Sequence, residues 1–140
     1  SMVTNEIYIQ QTPDVIYLYL EKELCKAFSC QPGQLLGKKI THTQKIYGKT
    51  IEMDQEVTER VKGESLAFVS VYGQDSLVVR YQILADDEGW SRVILTESAD
   101  STNKFKSLNY KLFSLPVLRN VGKKKLYRKL TALKLSLEKE

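Results

Sequence analysis

The chain has 140 residues, of which 42% are hydrophobic and 27% are charged, and its formal net charge is +4. That length suits one domain with a substantial core, and the composition is globular rather than disordered. No apolar run approaches the roughly 20 residues that span a bilayer, and residues 1–10 lack the basic and apolar parts of a signal peptide. We therefore expect a cytoplasmic protein with a single domain over residues 2–140, and we interpret Ser1 as a cloning remnant.

A strand followed by a helix is predicted at the start of the chain. Residues 3–10 alternate between polar and apolar side chains, which indicates a strand. A helix begins after Thr12, because Pro13 suits the first helical position and Asp14 meets the positive end of the helix dipole. The sequence "QPG" at 31–33 ends this helix. Its predicted apolar face is formed by Ile16, Tyr17, Leu20, Leu24, Ala27 and Phe28, and its polar face by Glu21, Lys22, Lys26 and Ser29.

The middle of the chain predicts an antiparallel meander. Between residues 38 and 98 the hydrophobic period changes to two, which indicates five strands at about 38–47, 50–62, 64–72, 76–85 and 90–98. The breaks contain "YGK", "KGE", "GQD" and "DDEG", and such short turns make neighbouring strands antiparallel. If the second of these strands is regular, the alternation places Gln55 and Glu59 on the apolar side, where Glu59 is either a rim residue or a group that faces a ligand. A β-bulge between them would reverse the faces.

The remainder of the chain has a helical pattern. Leucines and phenylalanines recur at spacings of three and four from residue 103 to residue 140, and Pro116 should kink this helix because it removes a backbone donor. The predicted order is therefore β-α-β5-α. It describes an α+β fold in which a curved antiparallel sheet of about six strands wraps around a long C-terminal helix.

This arrangement resembles the START-like, or SRPBCC, superfamily, whose fold is the helix-grip. The features that match are "EIYIQQTPDVIYLYLEKEL" near the start, the central hairpins, and the amphipathic helix from Lys104. The "GKKI" entry into a strand and the basic, Leu-rich end look like a small START-like subfamily known only as a domain of unknown function. The resemblance implies an apolar cavity between the sheet and the last helix, where members bind lipids, sterols, polyketides or other hydrophobic molecules. A minority of members catalyse reactions there.

Strand alternation and this resemblance together predict which residues would line such a cavity. His42, the only histidine, falls on the same strand face as Ile40 and Ile46. Aliphatic and aromatic side chains would supply apolar contact, and His42 and the tyrosines would orient a polar end of the ligand. The predicted ligand-binding residues are His42, Met53, Phe68, Tyr81, Tyr110 and Phe113.

Catalytic, metal and cofactor sites are not predicted. A nucleophile–histidine–acid triad would need His42, and no serine lies in a strand–turn–helix elbow. Cys25, Cys30 and His42 are too few and too irregularly spaced for a zinc site. An enzyme of the cyclase or hydrolase kind would rest on His42 and Glu59 alone. We therefore expect a binding protein rather than an enzyme, with no catalytic residue, metal or cofactor.

The charge is distributed unevenly along the chain. Residues 104–140 contain eleven Lys and Arg against two Glu, whereas residues 1–103 contain ten basic and fifteen acidic side chains. The densest cluster surrounds the apolar stripe of the predicted helix and consists of Lys123, Lys124, Lys125, Arg128 and Lys129. Such a cluster is typical of the solvated side of an amphipathic helix, where lysine stems cover the edges of the leucines. Peripheral contact with an anionic membrane is the alternative. Nucleic acid is disfavoured, because no recognised binding module accompanies the cluster.

Overall fold

Six antiparallel strands and one long helix form most of the described structure. In the computed structural model, residues 2–100, 131 and 134–138 are described. The strands are β1 (Met2–Ile9), β2 (Lys39–Ile46), β3 (Lys49–Val61), β4 (Ser65–Tyr72), β5 (Asp75–Ala85) and β6 (Ser91–Asp100). They form one sheet in the order β1-β6-β5-β4-β3-β2, so the meander is extended by β1, which pairs with β6. The predicted α+β fold is confirmed, and each predicted strand end lies within two residues of the observed one.

The helix α1 spans Pro13–Phe28 and begins where the sequence predicts. Thr12 occupies the capping position with an extended backbone, but its side chain makes no capping hydrogen bond. The helix ends at Ser29, whose backbone is left-handed (φ 53) and whose N–H donates to the carbonyl oxygens of Cys25 and Lys26. A 3₁₀ turn at Pro32–Gln34 then leads the chain into β2.

One face of the sheet, the inner face, packs against α1. Phe28 of α1 and Phe68 of β4 meet edge to face with their ring centroids 6.1 Å apart, and both are fully buried. Full burial of such a side chain contributes about 1.5–3 kcal/mol relative to exposure. The other large buried side chains of this core include Ile9, Ile16, Tyr17, Leu35, Leu66, Leu77 and Leu95.

The end of the last helix lies against the connection between β1 and α1. Residues 134–138 are helical, and Leu137 is buried in the same core as α1. The side chain of Gln11 donates to the Leu137 carbonyl oxygen at 3.1 Å, and the backbone N–H of Gln10 donates to a carboxylate oxygen of Glu138 at 3.1 Å. The rest of the predicted long helix, with its kink at Pro116, lies outside the described residues.

A β-bulge interrupts the pairing of β3 with β4. Val57 lies opposite Phe68, but Glu59 lies opposite Ala67, so Thr58 is an extra residue on β3. Beyond the bulge, Arg60 lies opposite the buried Leu66 and takes the inner side. Gln55 is buried at the inward position that regular alternation predicts, whereas Glu59 follows the bulge and takes the reversed face that was predicted for a bulged strand.

Candidate ligand-binding site

Three of the predicted ligand-binding residues lie together on the inner face. Met53, Phe68 and Tyr81 are buried on three neighbouring strands, β3, β4 and β5. Tyr81 pairs with Leu66 of β4, and the next inward position of β4 is Phe68. Because inward residues alternate along each strand, these side chains form one continuous surface beside the end of α1.

Of the other three predicted ligand-binding residues, only His42 is among the described residues. His42 lies opposite Met53, so it belongs to the inner face, but its side chain is exposed because β2 is the edge strand of the sheet. It therefore lies at the rim of the inner face rather than within it. Tyr110 and Phe113 lie outside the described residues, as do the five basic residues between Lys123 and Lys129.

The inner face also carries buried polar side chains beside the predicted ligand-binding residues. Gln55 and Ser70 lie opposite each other, and the Gln55 amide nitrogen donates to the Ser70 hydroxyl oxygen at 2.9 Å. Both are at least 96% buried, as are the carboxyl-bearing side chains of Asp75 and Glu97. The sequence indicates inward positions for two of these residues, because Ser70 shares the strand parity of Phe68, and Glu97 shares that of Leu95.

The Tyr81 hydroxyl belongs to this polar group. Burial raises the pKa of Tyr81 well above its ordinary value, and the carboxylate of Glu97 and then Tyr19 raise it further. The hydroxyl therefore stays protonated at neutral pH and can donate a hydrogen bond. Amides, hydroxyls and a carboxylate set among apolar side chains can orient the polar end of an otherwise apolar ligand.

A buried ionic cluster closes the inner face near the end of β3. Glu21 of α1 accepts a hydrogen bond from Arg60 Nε at 2.8 Å and another from the Tyr17 hydroxyl at 2.5 Å, both at the same carboxylate oxygen. Burial and then this contact with Glu21 raise the pKa of Tyr17, and the hydrogen bond to Glu21 raises that of Arg60. The placement of Glu21 on the polar side of α1 is wrong, because the bulge brings Arg60 to meet it.

Glu59 points to the opposite, outer face of the sheet. Ala67 lies opposite both Glu59 and Arg80, and a carboxylate oxygen of Glu59 accepts a hydrogen bond from Arg80 Nε at 3.0 Å. Hydrogen bonds from Ser65 and then Arg80 hold the Glu59 pKa below its ordinary value despite partial burial. His42 and Glu59 therefore lie on different faces, which removes the reason for pairing them in an acid–base mechanism.

A family model describes most of this chain. It matches residues 2–116, and its description is "Domain of unknown function (DUF3284)". The chain belongs to the DUF3284 family. None of the curated proteins matches the DUF3284 chain.

Solved structures share the fold of the DUF3284 chain. The protein DR_A0006 from Deinococcus radiodurans has a TM-score of 0.63 at 12% identity, with 99% of this chain and 97% of that chain covered. The Aha1 dimer from Colwellia psychrerythraea has a TM-score of 0.62 at 17% identity, with 99% and 96% covered. Ara h 8.0201 has a TM-score of 0.58 at 9% identity, with 100% and 99% covered. At these identities the likeness shows the fold alone, which is the helix-grip.

Cysteines and carboxylates of the DUF3284 chain do not assemble a metal site within residues 2–100 and 134–138, where no group of three His, Cys, Asp or Glu could hold an ion. Cys25 is buried beside Cys30, and burial, together with Cys30 and Glu21, raises its pKa to about 11. That thiol is therefore protonated and unreactive at neutral pH. Among the helical residues described, no helix is long and apolar enough to cross a membrane.

Proposed function

We propose that this DUF3284 chain is a START-like binding protein that holds an apolar small molecule or a lipid between the inner face of the sheet and the C-terminal helix. The observation that carries the proposal is the buried Gln55–Ser70 pair among the apolar side chains of the central strands. Met53 and Phe68 would contact the apolar part of the ligand. Tyr81, Gln55 and the rim residue His42 would orient its polar end.

The position of α1 supports this placement. Its contacts with the sheet reach Arg60 on β3 and Phe68 on β4, and both contacts lie on one side of the Gln55–Ser70 pair. Gln55 and Ser70 form the next inward pair along these strands. The buried polar side chains therefore lie just beyond the contacts of α1 with Arg60 and Phe68. The C-terminal helix would complete the cavity there and contribute Tyr110 and Phe113.

The chemistry of the inner face supports a pocket rather than a solid core. Burying a polar side chain costs roughly 1–3 kcal/mol unless it is hydrogen-bonded, so central strands that serve only as a core favour apolar residues. Ligand pockets combine a mainly apolar lining with a few convergent polar groups. On the inner face, Gln55, Ser70 and Glu97 are such polar groups, and the side chains around them are mainly apolar.

Native mass spectrometry of freshly purified protein tests the proposal. We expect an added mass that is present under native conditions and is lost on denaturation, and its value would define the ligand class. A second sample, unfolded and refolded without lipid, should show the unliganded mass and should then take up a fatty acid or a lysophospholipid. Failure of the refolded protein to bind any apolar probe would contradict the proposal.

We propose a second function on the strength of the charge distribution. Eleven basic residues against two acidic ones between residues 104 and 140 suit peripheral contact with an anionic membrane through the basic helix. Reversing the charges of Lys123, Lys124 and Lys125 should then weaken co-sedimentation with anionic vesicles several-fold at moderate salt. Unchanged co-sedimentation of this variant would contradict it.

A further inference from the structure

The turn that joins β2 to β3 carries a residue in an unfavourable backbone conformation. Tyr47 and Gly48 form this turn with φ values of 51 and 76, and Ile46 pairs with Lys49 across it. Asn, Asp and Gly are the residues that favour the first position of such a turn. A left-handed backbone costs a residue such as Tyr roughly 1–2 kcal/mol.

The Tyr47 ring gains little from the protein to offset this cost. It is 95% exposed, the highest fraction among the exposed large hydrophobic residues described. The hairpin passes from the buried Met53 and Ile51 to the exposed Thr50 within a few residues, so its tip projects beyond the core. An aromatic side chain held in a strained turn and directed into solvent indicates a contact outside the chain.

The charges around Tyr47 indicate the chemistry of that contact. Lys45 and Lys49 are exposed on either side of it, and no acidic residue lies between Thr43 and Ile51. Tyrosine is enriched at membrane–water interfaces because its ring is apolar and its hydroxyl is polar. Each lysine near an anionic lipid surface contributes about 1 kcal/mol of binding. An acidic protein would satisfy the lysines, but a protruding aromatic tip between two cations fits the headgroup layer better.

We propose that the tip of the β2–β3 hairpin, residues 45–49, docks on an anionic lipid bilayer. The Tyr47 ring enters the headgroup region, and the ammonium groups of Lys45 and Lys49 contact lipid phosphates and carboxylates. The tip extends from the strands that carry Met53 and His42, and it lies at the other end of β3 from the Glu21–Arg60 pair. Docking at this tip does not require a ligand between sheet and helix, so it can be tested separately from the proposed pocket.

Co-sedimentation with vesicles tests the proposal. The full chain should bind vesicles of phosphatidylcholine that contain phosphatidylserine, and should bind phosphatidylcholine alone weakly. Asn tolerates a left-handed backbone, so Tyr47→Asn should keep or raise the unfolding midpoint while binding falls several-fold. The double variant Lys45→Glu/Lys49→Glu should lose binding about tenfold or more, given the contribution of each lysine.

A matched charge control separates docking at the tip from a general effect of net charge. Lys22 and Lys62 are also exposed, and Lys62 lies in the turn at the opposite end of β3. The double variant Lys22→Glu/Lys62→Glu changes the net charge equally and should retain most of the binding. If both double variants lose binding equally, or if Tyr47→Asn and Lys45→Glu/Lys49→Glu bind as the wild type does, the proposal is wrong.

Fluorescence provides a second measurement. Trp90 is the only tryptophan, so Tyr47→Trp in a Trp90→Phe background places the sole indole at the tip. Its emission should shift to shorter wavelength with phosphatidylserine vesicles and remain unchanged with an acidic polypeptide such as polyglutamate. A shift with polyglutamate alone would assign the tip to an acidic protein and would overturn the membrane proposal. Ligand retention in native mass spectrometry should remain unchanged in all these variants.

Discussion

Arg60 Nε lies 2.8 Å from a carboxylate oxygen of Glu21, where α1 crosses the end of β3. The Glu21 side chain is only 7% exposed and that of Arg60 is 27% exposed, so water screens this pair much less than a pair on an open surface. Tyr17 donates to the same oxygen. Removing Arg60 would therefore leave the Glu21 carboxylate with the Tyr17 hydroxyl as its hydrogen-bond donor but with no cation.

We expect Arg60→Met to lower the free energy of unfolding by about 2–3 kcal/mol, because it leaves the Glu21 carboxylate buried without a cation. Arg80→Met is the matched control, since Arg80 pairs with Glu59 at 3.0 Å but both side chains are at least one-third exposed. The control should cost less than about 1 kcal/mol. Urea unfolding of the two variants measures the difference, and equal losses would contradict the assignment.

The sheet was predictable because its alternation is strong wherever one face is buried. In β5, Leu77, Val79, Tyr81 and Ile83 occupy every second position, and all are buried. The same alternation placed Met53 and Phe68 on the inner face. Regular alternation fixes which residues share a face without any knowledge of what covers that face.

The β-bulge in β3 explains the observed positions of Glu59 and Glu21. It turns Glu59 to the outer face and brings Arg60 to the inner face, where Arg60 pairs with Glu21. The sequence "VTERV" contains no glycine to mark a bulge at Thr58, so only the structure selects between the inward Glu59 of a regular strand and the outward Glu59 of a bulged one. Glu21 then had no visible partner and was assigned to solvent. Tyr17, one helical turn before Glu21, was the available signal, because tyrosine and glutamate at that spacing can bond on one helix face.

The polar part of the candidate site was missed for a different reason. Ser70 and Glu97 have the parity of the inward residues, but the predicted ligand contacts are histidine, aliphatic and aromatic side chains. Nothing in a single strand shows that Gln55 and Ser70 lie opposite each other, because this depends on the register of β3 with β4. The sequence therefore predicted the apolar lining, and the register was needed to find the hydrogen-bonded pair.

Stability should fall at alkaline pH because of Cys25. Its pKa rises from the ordinary value of 9.0 to about 11 in the folded protein. The unfolded thiol therefore loses its proton first, so the contribution of Cys25 is complete below about pH 9 and is lost as pH rises toward 11. The wild type should lose about 2 kcal/mol more than Cys25→Ala between neutral pH and about pH 10.5.

Urea unfolding of both proteins across this range measures the effect. The two tyrosines with raised pKa values, Tyr17 and Tyr81, are present in both proteins and cancel in the comparison. Parallel pH profiles for the wild type and Cys25→Ala would show that burial does not perturb this thiol.

Among the described residues 134–138, Leu137 should contribute most to stability. Leu137 is 7% exposed and belongs to the core, whereas Leu135, two residues earlier, is 57% exposed. Leu137→Ala should lower the free energy of unfolding by about 2–3 kcal/mol. Leu135→Ala has the same chemistry and the same helix propensity, and should change it by less than about 0.5 kcal/mol. Similar effects of the two substitutions on the urea midpoint would contradict the docking of this segment beside Gln11.

Filling the proposed pocket should reduce ligand retention without unfolding the protein. Ser70 is fully buried on the inner face beside Gln55, so Ser70→Leu places a larger apolar side chain where the polar end of a ligand would lie. Ser76→Leu is the matched control, because Ser76 pairs with Val71 on the outer face. We expect Ser70→Leu to lose the bound mass in native mass spectrometry and Ser76→Leu to keep it.

Circular dichroism must show that Ser70→Leu remains folded, since overpacking a solid core typically costs about 1–3 kcal/mol. Stability and bound mass together then distinguish a pocket from a solid core. A pocket admits the leucine without the cost of overpacking, so the variant loses ligand and only the stability that the Gln55–Ser70 hydrogen bond contributes. A solid core shows the full cost of overpacking and no change in bound mass, and that result would contradict a cavity beside the Gln55–Ser70 pair.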